Sequence, residues 1–297
     1  MKGIWQYASI QMKMMYFLLL LIASFVLFYL IGLAGLLVGG VPNMLDFSDG
    51  NTISVLKWMQ ACSAVGLFIA PPLLFSYFTN HKLGWNSVNR QQVLLSIAFM
   101  LLILPFINGL AVWNEKLHLP SFLTSLESWM RQAEAEAMRM TKVFLVMDTP
   151  LDLLVNILII AVIPALGEEL LFRGVIQKLL LKWNGKVHLS VWLTAFVFSA
   201  VHMQFLGFFP RLILGAVLGY MLVWSGSLWL PIVAHFTNNA FAVVVTYFIG
   251  IDKVNPSIES MGSEGGSVAF VSGLGGLLLL YLIKEMSTKN KHKKTSQ

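Results

Sequence analysis

Charge is what this chain has least of. Only 11% of its 297 residues are Asp, Glu, Lys or Arg, against roughly a quarter in ordinary soluble domains. No polar block of domain size interrupts the apolar runs, which excludes a soluble multidomain organisation. Cysteine is nearly missing as well. The single Cys62 rules out an internal disulfide framework and a CxxC metal motif, and in its apolar run it reads as a small inert hydrophobe. There is no phosphate-cradling glycine loop and no convincing internal repeat. What remains is oil. A hydrophobic content of 57% and a mean hydropathy of +0.76 define an integral membrane protein built as one polytopic, all-α transmembrane helix bundle.

Runs of about 20 apolar residues mark the spans. They are expected at Met15 to Val38, Leu56 to Phe78 with a kink at Pro71-Pro72, Val93 to Trp113, and Leu151 to Leu166. A bent or interfacial continuation through Glu168 follows. Further spans are expected at Val187 to Met203, Leu206 to Trp224, Leu228 to Gly250 and Val268 to Ile283. Eight spans put both termini on one side. Lysine and arginine favour the side that holds Lys2, Lys13, Lys82, Arg90, Lys178, Lys182, Lys186 and the tail at Lys289, Lys291, Lys293 and Lys294, so both termini are expected to be cytoplasmic. The first run is too long for a signal-peptide core and reads as a retained span.

The formal charge of +6 does not indicate a nucleic-acid partner, because the basic residues collect at segment ends. The C-terminal run reads as a solvated tail near anionic lipid. Leu119 to Val146 is expected to be an amphipathic helix on the membrane or over the bundle, with Leu123, Leu126, Met130, Ala133, Ala137 and Met140 at helical spacing. Asp252 to Gly266 reads as an outer loop. Gly35-to-Gly39 and Gly215-to-Gly219 have the small-residue spacing of close helix packing. The organisation is therefore 1–150, N-terminal spans plus the amphipathic segment; 151–250, a polar-residue-bearing core; and 251–297, the last span and basic tail.

Ionisable groups at membrane depth are costly and mark function by default. They concentrate in Gly167-Glu168-Glu169-Leu170-Leu171-Phe172-Arg173-Gly174. Glu169 and Arg173, four apart, share a helix face and can pair. Glu168 points about 100° away and is left to face a cavity. His202 ends Phe198-Ser-Ala-Val-His202, and His235 and Asn239 lie four apart in His235-Phe-Thr-Asn-Asn239, with Asn238 adjacent. Each of these alone reads as a satisfied buried polar residue. Together, three segments each offer a face that can bind water or metal.

The ordered patterns EExxxR at Glu168, Glu169 and Arg173, FxxxH at Phe198 and His202, and HxxxN at His235 and Asn239 resemble the CPBP family. That family comprises CAAX prenyl endopeptidases of the Ras-converting type and the bacteriocin-processing or immunity proteins also called Abi. The resemblance implies an intramembrane endopeptidase in which Glu168 activates a water and His202, His235 and Asn239 complete the catalytic cluster. Glu169 and Arg173 would support it, and Phe198 would pack beside it. The family is described both as metalloproteases and as glutamic proteases, and both versions stay open. Zn²⁺ would sit on His202 and His235 with Asn239 or Glu168, or Glu168 and a histidine would polarise the water without metal. The implied substrate is a membrane-associated peptide or protein, prenylated or carrying a leader. The implied setting is the lipid bilayer of a bacterial inner membrane, with the site near the cytoplasmic face. Competing readings are a noncatalytic immunity or scaffold protein and a proton-coupled transporter, the latter disfavoured by the lack of inverted repeats. The first 150 residues carry none of the three patterns.

Overall fold

The computed structural model describes residues 1–39, 50–250 and 266–295. Asp46, Asp49 and nearly all of the expected outer loop lie outside them, as do the side chains of Lys291, Lys293 and Lys294. Among the described residues ten helices and no strand are found. They are α1 (Ile10–Gly39), α2 (Asn51–Thr79), α3 (Arg90–Leu102), α4 (Leu104–Glu115), α5 (Thr124–Phe144), α6 (Pro150–Asn184), α7 (Val187–Ala200), α8 (Phe208–Ser225), α9 (Trp229–Ile249) and α10 (Ser267–Thr295).

Six of these, α1, α2, α6, α8, α9 and α10, are long and apolar enough to cross a membrane. The α3–α4 pair makes a seventh, bent by 43°. The eighth expected span, α7, has 14 residues, about 21 Å at 1.5 Å per residue and so short of the roughly 30 Å hydrocarbon thickness.

Proline explains two irregularities. Pro71 and Pro72 lack amide hydrogens, and α2 continues through them by widening to i→i+5 hydrogen bonding over Val65–Ile69 just upstream. Pro105 breaks α3 from α4. The groups loosened there are satisfied by Ser272 of α10, whose hydroxyl donates to the Leu102 carbonyl at 2.6 Å and accepts from the Phe106 amide at 3.3 Å. This is how helix breaks survive in an apolar medium.

α6 is the axis of the bundle. It packs against α2, α7, α8 and α9, and its run from Glu169 to Val175 is buried on every side. No break follows Leu166, where a bent or interfacial continuation is expected. The helix instead continues to Asn184, because its neighbours cover its polar residues and pair them. Phe75, Phe172, Val175 and Leu228 fill the space around it.

α5 is amphipathic and has no buried residue. Glu127 fastens its start, accepting from His118 at 2.8 Å, the Leu119 amide at 2.9 Å and Arg131 at 2.9 Å. These donors, His118 foremost, hold its carboxyl down at about 2.

Candidate active site

The site begins where α6 widens to i→i+5 bonding, over Glu169–Ile176. Such widenings recur at functional positions. Here it separates two adjacent carboxylates. Glu169 is fully buried and pairs with Arg173 at 2.9 Å. Glu168 keeps 12% of its side chain exposed and lines a cavity.

Arg173 also donates to the backbone carbonyl of Gly215 at 2.8 Å, and one turn later Gln177 donates to that of Gly219 at 3.1 Å. The two glycines leave the α8 backbone open to these side chains. A Cβ on Gly219 would come within 2.8 Å of Gln177 Oε1 and 3.0 Å of Val191. The small-residue pair is thus a face on which α6 docks through polar bonds, beyond simple close packing. Above the Arg173 guanidinium lies the Phe198 ring, 4.6 Å to its centroid. Phe198 also packs edge-on against Phe172 and His202, so it wedges between the ion pair and the first histidine.

His235 reaches the pair from α9. Its Nδ1 lies 2.9 Å from Glu169 Oε1. A carboxylate only accepts, so this nitrogen carries the proton and donates, and in the neutral ring that leaves Nε2 as an acceptor. Nε2 stands 3.8 Å from Glu168 Oε2, and that oxygen has no hydrogen bond among the described residues. His202 is fixed by the same logic: its Nδ1 donates to the Phe198 carbonyl at 2.7 Å, freeing Nε2. Asn239 donates to the Ile160 carbonyl at 3.2 Å and accepts from Asn238 at 3.2 Å.

Glu168, His202, His235, Asn238 and Asn239 all line one cavity of about 280 Å³. His202 reaches the depth of Glu168 because α6 runs on to Asn184 before the chain turns back into α7. Each residue lies about four turns from the α6–α7 turn, roughly 22–24 Å at the helical rise. Glu168 is also about midway along α6.

One charged residue of the cavity is not among those expected from the three patterns. Arg211, in the first turn of α8, lines the same space. The signal was present in the sequence, since Arg211 is the one charged residue in Phe208–Ser225. The rule that singles out Glu168 applies to it equally.

Structural and catalytic zinc sites draw three or four protein ligands, and no group of three His, Cys, Asp or Glu among the described residues is placed to hold a metal. Glu169 is committed to Arg173 and His235, and Asn239 Oδ1 already accepts from Asn238.

Fold and site together define a polytopic helical membrane protein with a buried glutamate–histidine–asparagine cluster suited to acid–base chemistry. Residues 150–241, which carry that cluster, match the Rce1-like family model, described as type II CAAX prenyl endopeptidase Rce1-like. Among curated proteins, the uncharacterized protein YpbD of Bacillus subtilis (strain 168) is 31% identical over 111 residues, 35% of this chain and 54% of that protein. The chain thus spans about half the length of this relative. No solved structure matches it.

Proposed function

We propose that this protein is an intramembrane endopeptidase that hydrolyses a peptide bond of a membrane-associated substrate with a water activated by Glu168, without a bound metal. One observation carries the reading. With the His235 ring neutral and Glu168 ionised, Glu168 Oε2 and His235 Nε2 are two acceptors facing each other at 3.8 Å. Such a pair calls for a shared proton donor, and water is the donor that hydrolysis needs. A water held there loses a proton to Glu168 as its oxygen attacks the carbonyl carbon. Glu169 holds the His235 ring in the tautomer that keeps Nε2 towards this water. The second N–H of Asn239 is available to the oxyanion, and the proton taken up by Glu168 passes to the leaving amine as the C–N bond breaks, with His202 Nε2 available to relay it. The Rce1-like match favours a CAAX-type prenylated substrate, and the basic residues after Arg173 favour entry from the cytoplasmic side.

The test is cleavage of a peptide library by the purified chain in lipid nanodiscs. Glu168→Gln should lower kcat by about 10²- to 10⁴-fold, the range for loss of a general base, with thermal stability retained. A Glu168→Gln protein that cleaves at the wild-type rate would defeat the assignment. An inactive wild type would favour a scaffold role.

A further inference from the structure

Two arginines stand inside the bundle, and their surroundings differ. Arg173 is compensated by Glu169 at 2.9 Å. Among the described residues the hydrogen bonds of Arg211 run to one residue, Gln204: Nη1 to its backbone carbonyl at 3.2 Å and Nη2 to its Oε1 at 2.9 Å. No described carboxylate lies within ion-pairing distance of Arg211. Glu134 is occupied by the Leu206 amide at 3.1 Å. Glu134 and Glu168 act on the guanidinium through space, but neither bonds to it, so its unbonded N–H groups stay open to a ligand in the cavity.

The group is nonetheless fixed in place. The connection from α7 to α8 is tied at three points besides Glu134. Asn114 of α4 donates to the Phe205 carbonyl at 3.0 Å and accepts from the Phe209 amide at 2.9 Å. Ser199 donates to the Phe208 carbonyl at 2.7 Å. At Gly207 a Cβ would stand 3.0 Å from Arg211 Nη2, so glycine leaves the guanidinium its room. Gln204 uses two of the five N–H groups. Three remain for the cavity shared with Glu168, His202 and His235.

We infer that Arg211 is a specificity-determining residue that binds a substrate carboxylate beside the scissile bond. The inference rests on the peptidase reading. A guanidinium fork matches a carboxylate in planar, two-bond geometry, which a lysine does not offer. The cavity, about 280 Å³, lies at the small end of ligand sites and admits a short length of peptide, whose carboxylate would fall within reach of Arg211. That carboxylate is either the substrate's own C-terminus or an Asp or Glu side chain near the cut.

The experiment uses the full chain in nanodiscs and randomised peptides in three matched sets: C-terminal acids, C-terminal amides, and amides carrying Glu near the cut. Wild type should favour one charged set over the neutral amides by about 10- to 100-fold in kcat/KM, mainly through KM. The favoured set identifies the source of the carboxylate. That ratio should fall to near one in Arg211→Gln and be partly kept in Arg211→Lys. If Arg211→Gln does not fold, Gln204→Ala, which releases the guanidinium's anchor, should lower the ratio. Equal cleavage of all three sets by wild type, or a preference that survives Arg211→Gln, overturns the inference and leaves the peptidase reading standing. A wild type inactive on every set overturns both.

Discussion

His235 and Glu169 are joined at 2.9 Å through the imidazole Nδ1 and the carboxylate oxygen that also receives Arg173. One buried oxygen therefore sets the charge balance of the core and the orientation of the histidine. The two functions separate by substitution.

Removing Arg173 leaves a buried carboxylate with its charge uncompensated. Arg173→Leu should destabilise the folded protein by about 3–5 kcal/mol, the range for a broken buried pair. Adding Glu169→Gln should restore part of that loss. A thermal-unfolding double-mutant cycle in detergent measures it, and purely additive effects would refute the coupling.

His202 lines the cavity, with its ring fixed by the Phe198 carbonyl. His202→Ala should lower kcat by about 10²- to 10⁴-fold, with the melting temperature within a few degrees of wild type. A variant with full activity would remove His202 from the mechanism.

Gly219 is where Gln177 approaches the α8 backbone. Gly219→Leu should cost about 1–3 kcal/mol by overpacking, because its side chain would enter the space of Gln177 and Val191. Pairing it with Gln177→Ala should recover part of the loss. Unfolding midpoints of the single and double variants decide this.

His81 lies beyond the end of α2 and donates through Nε2 to the Gly174 carbonyl at 2.9 Å. Burial draws its imidazole down from 6.5 to about 4; the Gly174 bond opposes the shift and Lys182, Lys178 and Lys13 add to it. Between those values the unfolded chain takes up a proton that the folded chain does not. Stability is therefore full above pH 6.5 and falls as the pH drops towards 4, by about 3 kcal/mol in all. Melting temperatures across this window should show the slope in wild type and a shallower one in His81→Gln. Identical slopes would refute it.

Metal independence has its own measurement. Chelator-treated protein should keep its activity, and elemental analysis should find no stoichiometric zinc. Activity lost on chelation and regained with added zinc would reverse the reading of the donor set.

Much of this arrangement was legible because it is local. The Glu169–Arg173 pair follows from a spacing of four, and the amphipathic character of α5 from its periodicity. The spans of α1, α2, α8, α9 and α10 follow from hydropathy. What escaped depends on neighbours. Nothing within Glu169–Ile176 announces a widened helix, since that widening answers the packing of α2, α7, α8 and α9. The break at Pro105 is tolerated because Ser272, far along the chain, satisfies it. The apolar run of α6 fades after Leu166, so its continuation to Asn184, which brings His202 level with Glu168, was hidden. Arg211 sits near a span edge, where a basic residue is easily taken for an orientation signal.

Ser272 has a wider consequence than stitching a bend. α10 carries none of the residues that line the cavity, yet its hydroxyl grips the joint between α3 and α4, and α4 supplies the Asn114 that clamps the connection bearing His202 and Arg211. The last helix thus acts as a strut in series with the active-site wall. Shortening the chain before α10 would slacken that wall without touching a single residue that lines the cavity.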